Sequence, residues 1–346
     1  MTRSTLLRLA GATVLTLALI GQPTFQPAGN AQSTQTYLAL GDSVAAGLLA
    51  SLPSERGYPA LLHQFMETAQ LGSDSPTSVE LRSLAERGET VQSFRDGGQL
   101  DDALDVIGDT RSGDVRTITL TLGGNTILSL WESSADERQS ELQQFQSDYE
   151  EVIAQLQSAL EGRDTDVVVT TYYDLTEGDQ DVEGSNAWWL REFNSVIRDA
   201  ASEAGFTVVD LAQIFDGRTD MLTWFPADIH PNNAGHQVIA QAIWQELGYD
   251  EDAPEIEITR PESGDARNRT PTVHATVDDE VGVERVVLEV DGEEIRELLF
   301  IPDRGDWVGV WDARDTNATE AELTVTATDI SGNESSDTVT ISLPPS

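Results

Sequence analysis

The sequence predicts a three-layer α/β domain, with a parallel sheet between two layers of helices, followed by a smaller all-β domain. Three observations lead to this prediction. The chain has 346 residues, which suits about two domains at roughly 150 residues each. Short apolar runs alternate with helical patterns as far as Leu247, an order typical of parallel sheets with helices on both faces. Short strand patterns separated by turns fill the rest of the chain.

The first domain, predicted over residues 32–248, contains strand and helix signals in alternation. The predicted strands are 36–40, 79–84, 115–122, 166–172 and 207–211, and the predicted helices are 58–70, 98–108, 133–161, 186–203 and 233–247. The helices carry apolar residues three or four positions apart, whereas the strands are short apolar or alternating runs. Because each strand is followed by a helix, the strands are expected to be parallel.

Residues 249–254 form a polar segment that ends in Pro254, and we interpret it as a linker. Six or seven short strands follow within residues 255–346, separated by turns such as Asp291-Gly292. Strands of this length and spacing predict an immunoglobulin-like (Ig-like) β-sandwich.

The first 31 residues have the pattern of an export signal. Arg3 and Arg8 precede an apolar run over residues 9–20, and Gly29-Asn30-Ala31 offers small residues for cleavage. The apolar run is shorter than a membrane span, so we expect a cleaved signal peptide and a secreted protein. An uncleaved anchor is the alternative. No later segment is long and apolar enough to suggest a membrane span.

Composition excludes several classes of function. The chain has 61 acidic residues against 20 basic ones, all of them arginine, and a net charge of −41. Such a surface repels nucleic acids and anionic membranes. The absence of cysteine excludes disulfides, thiolate metal sites and a cysteine nucleophile. Since no metal-binding spacing of histidines is present either, we expect neither a metal nor a cofactor.

Four polar motifs follow predicted strands, at the edge of the sheet where open α/β folds bind ligands. Ser43, in Gly-Asp-Ser, follows the first strand, and Gly88 follows the second. Asn125 follows the third strand, and His230 precedes the last helix. Alone, Ser43 is more typical of a helix N-cap than of a nucleophile. Together with a histidine base and with donors for an oxyanion, it predicts a nucleophilic serine.

These four blocks, in this order, resemble the SGNH/GDSL hydrolase superfamily over about residues 36–247. The resemblance implies a flavodoxin-like fold and an esterase or lipase activity. It also implies that Ser43 is the nucleophile and His230 its base. The N–H groups of Ser43 and Gly88, with the Asn125 side chain, would form the oxyanion hole.

Two positions depart from the family's pattern. Thr126 follows Asn125 where the family usually has an acid, and Ala227 stands where the acid of the histidine block usually lies. Asp228, two residues before His230, is the best candidate to orient the histidine. A backbone carbonyl is the alternative.

The sequence thus predicts a secreted serine ester hydrolase acting on an ester or on an acylated carbohydrate or lipid. Trp224 and Phe225, shortly before Asp228, are candidates for the walls of the substrate pocket. The Ig-like domain suggests contact with a surface or polymer. The alternatives are a carbohydrate acetyl esterase, and a decayed enzyme that serves as a non-catalytic binding or adhesion protein. A carboxylate-based glycosidase is a weaker alternative, because acids are too abundant here for their spacing to be informative.

Overall fold

The computed structural model of the protein describes residues 34–71, 78–109, 114–176 and 178–345, so the predicted signal peptide lies outside the described residues. The strands of the first domain are β1 (Thr34–Gly41), β2 (Ser78–Ser83), β3 (Asp114–Thr121), β4 (Asp166–Thr170) and β5 (Thr207–Val209). Its helices are α1 (Pro53–Arg56), α2 (Tyr58–Leu71), α3 (Val91–Asp96), α4 (Gln99–Gly108), α5 (Gly124–Ser129), α6 (Ala135–Ala159), α7 (Asn186–Glu203), α8 (Leu211–Phe215), α9 (Thr219–Leu222) and α10 (Asn233–Leu247).

The five strands form one parallel sheet in the order β2-β1-β3-β4-β5. This is the flavodoxin-like order, which creates a crevice at the carboxyl ends of β1 and β3. Helices α2 and α10 pack on each other, and α6 packs against α3, α4 and α7. The predicted parallel α/β sheet with its helices is confirmed.

Local hydrogen bonds explain where predicted and observed boundaries differ. Helix α6 begins after Ser134, whose side chain forms a capping box with Glu137. Strand β4 is shorter than predicted because Tyr172 leaves the sheet, and its N–H donates to the Asn194 side chain at 3.0 Å. Strand β5 ends before Asp210, whose side chain caps α8.

The second domain consists of strands in two sheets, antiparallel except for one parallel pair, and this confirms the predicted Ig-like architecture. Its strands are β6 (Glu255–Arg260), β7 (Gly264–Asp265), β8 (Thr272–Asp278), β9 (Val283–Val290), β10 (Glu293–Glu297), β11 (Leu299–Ile301), β12 (Asp306–Val310), β13 (Glu320–Asp329) and β14 (Glu334–Ser342). One sheet has the order β10-β9-β13-β14-β7, in which β7 and β14 are the parallel pair, and the other has the order β11-β12-β8-β6. Alternating residues of both sheets, such as Ala275 and Leu288, share one buried core.

The predicted linker is bonded to the Ig-like domain. The Asn333 side chain donates to the carbonyls of Asp250 and Asp252, each at 3.1 Å. Trp244 of α10 donates to Ser331 at 2.8 Å. Among the described residues, none of the helices combines the length and apolar character that a bilayer crossing requires.

Candidate active site

Ser43 lies in a tight turn at the carboxyl end of β1. Gly41 has a φ of 123°, and a Cβ there would stand 1.9 Å from the carbonyl oxygen of Thr121, so the position requires glycine. The Asp42 N–H donates to the same carbonyl at 3.0 Å. The Asp42 carboxylate accepts the Val44 N–H at 2.9 Å. The turn is therefore fixed on both sides of the serine.

Ser43, His230 and Asp228 form one hydrogen-bonded chain. Ser43 Oγ lies 2.8 Å from His230 Nε2, and His230 Nδ1 lies 2.5 Å from Asp228 Oδ1. The same carboxylate oxygen accepts the His230 N–H at 3.0 Å. The side chain of Asp228, two residues before the histidine, thus contacts Nδ1, where the sequence left a backbone carbonyl as the alternative.

The loop that carries His230 is held in place by its own hydrogen bonds. The Trp224 N–H donates to the carbonyl of His230 at 3.0 Å, and the hydroxyl of Tyr173 donates to the carbonyl of Ile229 at 2.8 Å. The side chain of Asn232 then caps the first turn of α10. These contacts limit the movement of the imidazole relative to Ser43.

The surroundings of Asp228 favour the ionised form of its carboxyl group beside His230. Partial burial raises the pKa of its carboxyl group. The hydrogen bonds from His230 and from the Ile229 N–H lower this pKa by more than burial raises it, so the net shift is downward. An ionised carboxylate favours the tautomer with its proton on Nδ1 and stabilises a protonated ring.

The predicted oxyanion donors lie in two loops around the same turn. Gly88 has a φ of 81°, and its missing Cβ would face open space. Asn125, near the start of α5, donates to the carbonyl of Glu89 at 2.9 Å, which ties its side chain to the Gly88 loop. Within the described residues, the N–H groups of Ser43 and Gly88 donate to no protein acceptor. They are therefore available to a developing negative charge.

Gln99 belongs to none of the four sequence motifs, yet it connects these loops. Its side chain accepts the Gly41 N–H at 2.7 Å and donates to the Gly41 carbonyl at 3.1 Å. It also donates to the Glu89 carboxylate at 2.8 Å. A glutamine at the start of a helix resembles an exposed residue in the sequence, yet Gln99 is buried. The one available signal was a polar residue directly before the apolar Leu100.

The carboxyl group of Asp42, the residue before Ser43, is buried. Its second oxygen accepts the hydroxyl of Tyr172 at 2.5 Å. Burial is the main cause that raises the pKa of Asp42 to about 7, and nearby Glu89 adds to it, whereas the bonds from Tyr172 and Val44 act in the opposite direction. Asp42 therefore changes protonation near neutral pH.

The other histidines lie outside the hydrogen-bonded chain of Ser43, His230 and Asp228. His236 is buried, and its Nδ1 accepts the Tyr58 N–H at 3.3 Å while Nε2 faces the carbonyl of Leu48, also at 3.3 Å. Burial lowers the pKa of His236 to about 4, so the ring is neutral at neutral pH. His63 contacts a β2 carbonyl, and His274 of the Ig-like domain pairs with an aspartate.

An apolar cavity opens beside Ser43. It has an empty volume of about 760 Å³, including its open mouth. Its walls come from the nucleophile turn, α5 and the turn after it, the loop after β4, α7 and the histidine loop. Its lining residues are Asp42, Ser43, Val44, Gly124, Asn125, Ile127, Leu128, Leu130, Trp131, Arg138, Tyr172, Tyr173, Asp174, Leu175, Thr176, Asn186, Trp189, Leu190, Phe193, Ile229 and His230.

Trp224 and Phe225, the predicted pocket walls, are not among these lining residues. Trp224 is half exposed, and its indole N–H donates to the carbonyl of Leu49 at 3.2 Å. Phe225 is partly buried against the core of the first domain.

One group of carboxylates among the described residues is close enough to share a cation. One oxygen from each of Asp250, Asp279 and Asp329 lies within 4.8 Å of the others. None of the three lines the cavity that holds Ser43.

Comparison with known families agrees with this geometry. The family model described as GDSL-like lipase/acylhydrolase matches residues 39–238, more than half of the chain. The chain belongs to the GDSL-like lipase/acylhydrolase family. A second model, of a bacterial Ig domain, matches residues 254–341. No match was found among curated proteins.

Solved structures resemble the GDSL-like domain in fold. The lipase Lip_vut3 from a goat rumen metagenome is 20% identical, with a TM-score of 0.51, over 63% of this chain and 99% of the lipase. Axe2, an acetylxylan esterase from Geobacillus stearothermophilus, is 14% identical, with a TM-score of 0.48, over 63% of this chain and 95% of the esterase. At such identities the likeness to the lipase supports the fold alone.

Proposed function

We propose that this protein is a serine carboxylic-ester hydrolase that works through an acyl-enzyme formed on Ser43. The observation that carries the proposal is the hydrogen-bonded chain from Ser43 through His230 to Asp228, at 2.8 and 2.5 Å. A nucleophile, its base and the group that orients the base are thus within hydrogen-bond reach of one another. The class of reaction also agrees with the family.

In the first half of the reaction, Ser43 Oγ attacks the ester carbonyl carbon while His230 Nε2 takes the hydroxyl proton. The carbonyl oxygen becomes an oxyanion, which accepts hydrogen bonds from the N–H groups of Ser43 and Gly88 and from the Asn125 amide. The bond to the leaving alcohol then breaks, and His230 returns the proton to its oxygen. An acyl-Ser43 ester remains.

In the second half, water attacks the acyl carbon and His230 takes one of its protons. The same donors hold the second oxyanion, and the proton passes back to Ser43 Oγ as the carboxylic acid leaves. Asp228 keeps the Nδ1 proton of His230 in place throughout. Since a protonated imidazole cannot accept the serine proton, activity falls on acidification.

Hydrolysis of p-nitrophenyl butyrate by the mature chain tests the proposal. Ser43→Ala is expected to lose nearly all turnover, while Ser140→Ala, which removes a hydroxyl from an exposed position on α6, keeps it. Circular dichroism would show that both variants fold. Turnover in folded Ser43→Ala equal to that of the unchanged protein would contradict the proposal.

We also propose that the protein is exported, on the strength of Arg3, Arg8 and the apolar run that follows. Expression of the full chain in a bacterial host, with intact-mass measurement of the product outside the cytoplasm, tests this. Loss of a peptide of about 31 residues supports it. Retention of the whole chain in the cytoplasm contradicts it. Contact of the Ig-like domain with a surface or polymer stays a prediction.

A further inference from the structure

The cavity beside Ser43 continues directly from the oxyanion hole. Asn125 is the second residue of α5, and Ile127 and Leu128 of the same helix line the cavity. An ester whose carbonyl oxygen meets Asn125 therefore has its carbonyl carbon at the cavity mouth. A substituent on that carbon that enters the cavity runs along an apolar helix face.

The inner wall of the cavity is formed by the buried side chains of α7. Trp189, Leu190 and Phe193 are 6%, 8% and 1% exposed. Side chains this buried give that wall an apolar surface. The cavity thus suits a hydrocarbon group better than a polymer that carries many hydroxyls.

The shape of the cavity is built into the fold. Arg138 is buried, and its guanidinium donates to the carbonyls of Leu130 and Trp131 at 2.9 and 2.5 Å. These bonds fix the turn after α5, whose two side chains line the cavity. Ligand sites are usually preformed in this way.

Several polar groups in the wall already have partners within the protein. The carboxylate of Asp174 accepts both the N–H and the hydroxyl of Thr176, at 2.7 and 2.6 Å. A sugar ring placed in the cavity would lose water from its hydroxyls with few partners to replace it, which is costly. A hydrocarbon chain has no hydrogen bonds to water to lose on entry and gains apolar burial.

We infer that this cavity is the acyl-binding site and that the substrate is an ester of an apolar acyl chain longer than acetyl, butanoyl or beyond. The inference rests on the proposed function, because it needs Ser43 as the attacking atom. It sets the chain apart from an acetyl esterase, whose acyl group would leave most of the cavity unfilled. The acid released is therefore a fatty acid rather than acetic acid.

Rates on a series of p-nitrophenyl esters test the inference, since only the acyl chain varies from acetate through butyrate and hexanoate to octanoate. Burial of each methylene is expected to raise kcat/KM by about fourfold for as long as the chain stays inside the cavity. Leu128→Trp fills the cavity and should abolish this rise. Leu52→Trp, at an exposed position outside the cavity lining, is the matched control and should keep the rise.

Trp131→Ala provides a second variant if Leu128→Trp does not fold. It enlarges the cavity while the main-chain bond from Arg138 remains, so the preferred chain should become longer. Acetate as the best ester of the unchanged protein, hydrolysed in a Ser43-dependent manner, would overturn the acyl-site inference and leave the proposed function intact. Hydrolysis of no ester in the series by a folded protein would overturn both.

Discussion

Replacement of Gln99 by methionine tests whether catalysis depends on the hydrogen bonds beneath the site. Methionine keeps the length of the side chain and removes its amide. Three hydrogen bonds are lost. Gln99 accepts one of them from the Gly41 N–H and donates the other two, to the Gly41 carbonyl and to the Glu89 carboxylate. The Gly41 carbonyl keeps a second donor, the Glu86 N–H at 3.0 Å. The substitution therefore orphans one buried N–H and one carboxylate oxygen.

Each of the two orphaned buried groups costs about 1–3 kcal/mol, so Gln99→Met should lower the free energy of unfolding by roughly 2–6 kcal/mol. The effect on rate comes through Glu89, whose carbonyl holds the Asn125 amide and which follows Gly88 in the chain. A shift of these donors by about 1 Å costs on the order of 100-fold in kcat. Because the donors act on the oxyanion, KM should change much less than kcat.

Urea unfolding and p-nitrophenyl ester kinetics measure the two effects separately. Gln143→Met, at an exposed position on α6, is the matched control and should change neither. A destabilised Gln99→Met protein with unchanged kcat would refute the link to the oxyanion donors. Unchanged stability would refute the hydrogen-bond network itself.

Three further substitutions address individual groups of the site. Asn125→Ala should keep the fold and lower kcat about 100- to 1,000-fold, as steady-state kinetics would show, and full activity would remove Asn125 from the oxyanion hole. Asp228→Asn should lower kcat on the order of 1,000-fold or more, because the amide favours the wrong tautomer of His230; near-normal kcat would return the orienting role to a backbone carbonyl. The third is Asp42→Asn. Since the pKa of Asp42 is raised from 3.8 to about 7, the stability that this carboxyl contributes is present below pH 3.8 and is lost as the pH rises through about 7. Between pH 5 and pH 8, Asp42 should account for a fall of about 3 kcal/mol in the free energy of unfolding, and this fall should be absent from Asp42→Asn. Urea titrations that give the same fall in both proteins would contradict the buried, protonated carboxyl group.

The parallel sheet could be predicted because its strands β1, β3 and β4 are mostly buried and its main helices are long enough to show a period. The positions of Ser43, Asn125 and His230 follow from that sheet, since the carboxyl ends of parallel strands meet at one edge. Strand β10, with the sequence EEIRE, could not be predicted, because all its residues are exposed and it has no alternation of apolar and polar positions. The short helices α1, α8 and α9 contain too few residues for a period to appear.

Contacts between distant segments account for the rest of what the sequence did not reveal. Gln99 reaches Gly41 across 58 residues of sequence, and nothing near Gln99 in the chain marks this contact. The apolar wall of the cavity needs α5 and α7 to be neighbours, which depends on packing rather than on pattern. Trp224 was a reasonable pocket candidate by its closeness to His230, yet its indole turns to the carbonyl of Leu49.

Covalent labelling tests the central claim, that Ser43 is an activated nucleophile. A fluorophosphonate probe is incubated with the unchanged protein, with Ser43→Ala and with His230→Ala, and the modified peptide is identified by mass spectrometry. The proposed mechanism predicts a single adduct on Ser43, no adduct in Ser43→Ala and much slower labelling in His230→Ala. An adduct on another residue, or equal labelling of folded Ser43→Ala, would contradict it.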